Sequence, residues 1–468
     1  MTSQDVAEGI SPPQDPARRW PVIGVACIVA LLFGLVLPFE PKAAVAAVVL
    51  VPLAFAAPTA ALSVLLAVTI LVPFDTQDSL AVFGGRETPG LLIVDVMMLL
   101  GVVRITWLVL RGRFDLDRRV LAGYALAAIV AVSFVWGLVL GATPSGSGHE
   151  ARRLLMGCGA FLMALPLVDD STARRRLSYS LMGIGMAVGL WGLAQWVLQV
   201  PYTTSGDVGV RPGVDLTSSG HGQLQGGMYA FPIVVILTWA ALVAGRYTVR
   251  WIHWTLIVIL LLNGMCLILT FERSLWGGAV LGCAVVAFTS GPEARRSGLK
   301  WAAAGLVGLV LVAAVSPRQA RTAVERLLSI AQVQTDTSFT SRVVESRAVS
   351  EATSGRPFTG SGLGATITWG QQDTFATVTT PFSHNGYLWL AWKIGVPAAV
   401  FVVAVIVAAI LRRSRGDESP QWRALRRGSQ ASLAALLVIG MVFPPFNVLG
   451  ITAAMGFLAA VCCSKETT

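Results

Sequence analysis

Apolar runs close to the length of a bilayer recur along nearly the whole chain, and they leave few folds open. The hydrocarbon core of a membrane is crossed by roughly 20 apolar residues, whereas buried helices of soluble domains stop at about 10 to 14. Fourteen candidate segments fall at about 20–37, 43–57, 59–74, 90–110, 120–141, 152–168, 177–200, 223–245, 251–271, 274–290, 299–315, 384–411, 428–446 and 447–463. Pro58 alone separates the second from the third, and Pro444, Pro445 and Asn447 separate the last two, so twelve to fourteen spans are expected. Only 13% of the 468 residues are charged and 55% are apolar, which excludes disorder. Continuous rather than alternating hydrophobicity excludes a β-barrel. The expected fold is an all-α polytopic membrane protein.

A net charge of +10 would suggest nucleic acid in a soluble chain. Here the basic residues concentrate in short connections, as they do on the cytoplasmic side of membrane proteins. With the N-terminus inside, the short connections divide their Lys and Arg 21 to 7 in favour of that side. This orients the chain with both termini cytoplasmic in the inner membrane, and no nucleic-acid partner is expected. The expected organisation is a cytoplasmic tail at 1–19, eleven spans over 20–315, a large outer loop at 316–383, three spans over 384–463 and a short tail at 464–468.

The six cysteines all fall inside or at the end of apolar runs, where they act as small buried hydrophobes. No metal site and no cofactor are expected. Asp115 and Asp117 have the spacing of a metal-binding pair, but they sit in a short, charged inner connection and read as a solvated loop. Asp95, inside the fourth span, has two equal readings: a functional group, or a residue held by helix-packing partners such as Ser or Thr. The usual marks of ATP-driven transport and of membrane metalloproteolysis are missing from the sequence.

The outer loop 316–383 is too long to be a simple connection. Residues 317–331 repeat apolar positions at helical spacing and suit a helix in the membrane interface. A second helix is expected from Thr340 or Ser341 to about Thr353, followed by a turn at Pro357, Gly360, Gly362 and Gly364. A shorter glycine-rich outer loop at about 201–222 carries Arg211 and His221.

Ser383-His384-Asn385-Gly386 opens the apolar run 384–411, with Ser383 as the expected N-cap. Free backbone N–H groups and the helix dipole at that point suit a phosphate and disfavour a charged imidazole, leaving His384 able to accept a proton. Arg211, Arg273, Arg342, Arg347 and Arg356 all map to the same side. Together with the histidine they form a candidate diphosphate pocket.

These elements resemble the bacterial O-antigen ligase and polymerase superfamily of membrane glycosyltransferases. Four stretches carry the likeness: Arg211-Pro212-Gly213; Thr270-Phe271-Glu272-Arg273-Ser274; Ser341-Arg342 with the later Pro357, Gly360, Gly362 and Gly364; and His384-Asn385-Gly386-Tyr387-Leu388 with Gly395. Glu272 stands where the family pattern has Ser. The resemblance spans roughly 200–400. It implies transfer of a glycan from a polyprenyl-diphosphate donor, on the outer face, to a glycan or glycolipid acceptor amid membrane lipid. His384 would be the base or acceptor-orienting group, and Arg211, Arg342 and Arg273 the diphosphate clamps. Asn385, Arg347, Arg356 and His221 would support them, without a metal. Ligase and polymerase both remain open. The rival reading is a transporter or flippase of lipid-linked glycans, which would place its charges along a midplane path.

Overall fold

The computed structural model describes residues 41–72, 92–198, 230–245, 249–270, 272–300, 337–370, 377–413 and 418–465. The tail 1–19, the span 20–37, nearly all of 299–315, the interfacial helix at 317–331 and the loop holding Arg211 and His221 lie outside them. The protein is an all-α polytopic membrane protein. Its helices are α1 (Pro41–Ala56), α2 (Pro58–Leu71), α3 (Ile93–Leu110), α4 (Arg118–Val139), α5 (Pro144–Asp169), α6 (Ser171–Leu198) and α7 (Ala230–Ala244). After these come α8 (Arg250–Leu269), α9 (Arg273–Thr289), α10 (Thr337–Gly355), α11 (Gly386–Ile394), α12 (Val396–Leu411), α13 (Pro420–Ile439) and α14 (Leu449–Cys462). Among the described residues, α3, α4, α5, α6 and α8 are each long and apolar enough to cross a membrane.

α5 is the hub. Its apolar stretch is 78% buried against 28% for α3, α4 and α6, and it packs most extensively on α14, every residue of which is buried. The two backbones meet at Gly157 and Gly456, where a Cβ on Gly456 would overlap the Gly157 carbonyl. Lipid tails are as apolar as leucine, so helices in a membrane gain by close backbone approach across small residues. α9 meets α13 in the same way, with Gly278 against Ile439 and Gly282 against Ile236 of α7. Asn263 joins α8 to α6 by donating to the Gly185 carbonyl at 2.9 Å.

One expectation about the long loop 316–383 changes. The expected helix is present but starts earlier, at Thr337, and ends at Gly355. The same loop holds strands β1 (Ile367–Gly370) and β2 (Thr377–Thr380), which pair antiparallel with Ile367 opposite Thr380.

The expected continuous helix 384–411 is broken at Gly395, which has φ 83°. Pro397 follows in the first turn of α12 and has no N–H to continue the ladder. The glycine-rich strap 356–364 enters the break. Ser361 and Gly362 donate to the terminal carbonyls of α11, at Trp392 (2.7 Å) and Lys393 (3.0 Å), and Val396 of α12 donates to the Pro357 carbonyl at 2.8 Å. The strap thus supplies the partners that a broken helix leaves unmet. Side chains would not fit: a Cβ on Gly395 would overlap the Phe358 carbonyl, and one on Gly360, at φ 68°, would lie 2.5 Å from Gly395 N.

Beneath the strap lies a buried ion pair, Lys393 Nζ to Glu150 Oε1 at 2.8 Å. Glu150 Oε2 also accepts from Gly364 N–H at 2.6 Å, and Lys393 donates to the Ala365 carbonyl. Each buried charge therefore has several partners, the condition under which such a pair is tolerated.

Candidate active site

The polar groups of the bundle gather at its two ends. At one end stand the residues that the charge count assigns to the cytoplasm. Arg119 forms a two-pronged pair with Asp169 (2.8 and 3.1 Å), bonds Asp117, and donates to the Cys463 carbonyl. Arg174 donates to the Lys465 carbonyl and Arg426 to Ser464, so the C-terminal residues knit α4, α5, α6 and α13 together. Asp115, 88% exposed, is the solvated loop residue expected. Asp117 differs: it caps α4 by accepting from the Arg119 and Val120 N–H groups. Burial pushes its carboxyl up, but hydrogen bonds from Lys465 and Arg119 and from the Val120 N–H outweigh it and hold the group at about 2.

His384 stands at the opposite end, ahead of α11. The N-cap of that helix is Asn385, whose side chain accepts from Tyr387 and Leu388 N–H at 3.0 and 3.1 Å. Ser383, the expected cap, instead accepts from Asn385 N–H. His384 therefore lies outside the first turn, and the free N–H groups thought to face it are partly used by Asn385. Gly386 N–H donates to the Gly440 carbonyl at 2.8 Å and the Tyr387 hydroxyl to the Leu437 carbonyl, fixing the start of α11 against the end of α13.

The partner of His384 is Glu345, which sequence reasoning missed. α10 turns Ser341, Glu345, Val349 and Thr353 inward at four-residue spacing, against α11 and β1. Glu345 Oε1 accepts the His384 backbone N–H at 2.6 Å, and Oε2 lies 2.6 Å from Nδ1. The carboxylate is 3% exposed and the imidazole 40%. A carboxylate at Nδ1 selects the tautomer with its proton there, which leaves the Nε2 lone pair for an incoming hydroxyl. Phe382 packs edge-on against the ring, with centroids 5.0 Å apart.

Arg342 lies three residues before Glu345, one turn along the same helix, and is half-buried. Arg347 and Arg356 are exposed, the latter where the strap begins. Arg273 is the first residue of α9, about 7 Å along the axis from Gly278, which touches Ile439 beside the Gly440 that anchors Gly386. Arg273, Arg342 and His384 thus belong to one end of the bundle. Asp95 is there too, and its partners are Arg152 at 2.9 Å and the Leu92 N–H in place of the Ser or Thr of a neighbouring helix. Among the described residues no group of His, Cys, Asp and Glu is arranged to hold a metal ion.

Residues 256–403, from within α8 into α12, match the family model described as O-antigen ligase. The match covers about a third of the chain and supports the resemblance to the O-antigen ligase and polymerase superfamily. The matched stretch contains Arg273, Arg342, Glu345 and His384, the broken helix and the strap. No curated protein matches the chain. The match supports an O-antigen ligase-like membrane enzyme of polysaccharide assembly, and the matched region holds the histidine and carboxylate described above.

Proposed function

We propose that the protein transfers a glycan from a polyprenyl-diphosphate donor to a glycan or glycolipid acceptor on the outer face of the cytoplasmic membrane. The observation that carries this reading is the Glu345–His384 pair inside the matched stretch. The acceptor hydroxyl gives its proton to His384 Nε2 as its oxygen bonds to the anomeric carbon. The bond from that carbon to the diphosphate oxygen breaks, and the electron pair leaves with the lipid diphosphate. Glu345 balances the imidazolium charge that forms, as the carboxylate of a catalytic triad does. Arg211, Arg342 and Arg273 neutralise the departing diphosphate, with Arg347, Arg356 and His221 in supporting roles, so no divalent ion is needed. Asn385 supports the site by fixing the start of α11. Ligase and polymerase share this chemistry and differ in the acceptor.

Purified protein in proteoliposomes, given a polyprenyl-diphosphate oligosaccharide and an acceptor glycan, tests the reading. Transfer should persist in excess chelator. His384→Ala should lower the rate by about 10²–10⁴ while donor binding is kept, and His221→Ala should remain close to wild type. Near-normal turnover in His384→Ala would remove the histidine from the chemistry. Complete loss on chelation would put a metal where the arginines are placed.

A further inference from the structure

A cavity of about 700 Å³ lies at the basic end of the bundle, away from His384. Its volume is that of a small-molecule pocket. The walls are apolar, with Leu66 of α2, Leu237 of α7, Leu256 of α8 and Phe457 of α14. The mouth is polar and carries Arg174, Arg175, Ser178 and Gln421. Gly185, which also lines the cavity, is eleven positions beyond Arg174 on α6. That is about 16 Å of helix, half of a hydrocarbon core of about 30 Å, and so the depth of one leaflet.

Two further observations set the chemistry of the mouth. Tyr179 and Trp251, both exposed, stack beside it with centroids 6.4 Å apart. Exposed Tyr and Trp mark the level of lipid headgroups. Arg175 lies over the Tyr179 ring at 5.9 Å, a contact that holds its guanidinium at the mouth, where its N–H groups suit a phosphate. Glu418, the carboxylate in the lining, is held by Arg426 at 2.6 Å, so the mouth is left positive.

We propose that this cavity is a site for an anionic diacyl phospholipid drawn from the leaflet at the basic end. Its phosphate sits on Arg175 and its acyl chain enters between α2, α6, α7, α8 and α14. The assignment does not rest on glycosyl transfer, and its test reads lipid rather than product. Full-length protein in nanodiscs of phosphatidylcholine with a minor share of phosphatidylglycerol is released into detergent, and the lipid retained is weighed by native mass spectrometry. Wild type should retain phosphatidylglycerol in preference. Arg175→Glu, an exposed change, should reduce that preference by about tenfold. Ala241→Trp, projecting from the wall, should reduce retention of both lipids, with thermal unfolding confirming an intact bundle. Equal retention of the two lipids by wild type, or a preference untouched by Arg175→Glu, would overturn the proposal. Preferential retention of added polyprenyl phosphate would overturn it as well, by making the cavity a second donor site.

Discussion

At the basic end, Arg119 is 6% exposed and divides its guanidinium among Asp117, Asp169 and the Cys463 carbonyl. At the other end, His384 is 40% exposed and is held on one side only, by a carboxylate that is itself 3% exposed. Both arrangements place a buried acid against a basic group. In the first the acids surround the base, and the pairing is complete within the protein. In the second the base keeps one nitrogen facing outward, and the acid fixes which nitrogen that is. A closed network ties helices together, whereas a half-open pair is built to meet something else. This difference, and not the number of charges, separates the structural end from the candidate catalytic end.

The comparison breaks most clearly at Arg119. Arg119→Leu leaves Asp169 buried without its two-pronged partner, a loss on the order of 3–5 kcal/mol. Yield of folded protein and thermal unfolding temperature should fall sharply, while the transfer rate per folded molecule stays close to wild type. A rate that fell in proportion, with stability unchanged, would show that this end takes part in turnover.

Glu345→Gln is the corresponding change at the other end. The amide fills the same space but no longer fixes the proton on Nδ1, so the rate should fall about 10–100-fold, the usual effect of removing a group that orients a functional histidine. The loss should appear in kcat with KM for the donor unchanged. His384→Ala combined with Glu345→Gln should be no slower than His384→Ala alone, because the two act as a unit. Additive losses would mean that Glu345 serves the fold and not the histidine.

How much of this was legible follows from where each signal resides. The spans were readable because a bilayer demands local, continuous hydrophobicity, and His384 because a histidine opening an apolar run is unusual in itself. Glu345 gave no such sign. It precedes its partner by 39 residues on a polar helix, and only its four-residue spacing with Ser341, Val349 and Thr353 hinted at a buried face. Glu150 was hidden differently: α5 begins at Pro144, under the cap of Thr143, so a stretch that reads as an outer connection is helix. The break at Gly395 was visible in part, because Gly395-Val396-Pro397 is a helix-stopping sequence. That the strap 356–364 would fill the break depends on contacts with α4 and α5 that no local pattern encodes. Chief among them are Leu363 N–H to the Ser133 carbonyl and Ser147 Oγ to the Leu363 carbonyl.

Arginine geometry sharpens the open end further. If Arg342 and Arg273 grip a diphosphate, a lysine keeps the charge but loses the planar fork. Each Arg→Lys change should then slow transfer about tenfold, the scale of one hydrogen bond to a charged group. Arg347→Lys and Arg356→Lys, at exposed positions, should cost less. The check is the donor concentration dependence of transfer in each of the four variants. Equal, negligible effects in all four would remove the clamp.

The smallest effect returns to the closed end and has a defined pH dependence. Asp117 is held at about 2, below the ordinary carboxylate range, by Lys465, Arg119 and the Val120 N–H. A group whose pKa is lowered on folding stabilises the protein above its unfolded value, and that contribution disappears as pH falls through the folded one. Asp117→Asn keeps the cap, because Asn serves that position as well as Asp, and removes the charge that Lys465 and Arg119 share. The difference in unfolding free energy should be at most about 1 kcal/mol near neutral pH, as for other partly solvated pairs. It should shrink steadily as pH falls from the ordinary carboxylate range toward about 2. Thermal unfolding of the two proteins across that range measures it. A gap that stayed constant with pH would mean that Asp117 acts through its cap geometry and not its charge, and that the closed end owes its stability to Asp169 and Glu418 instead.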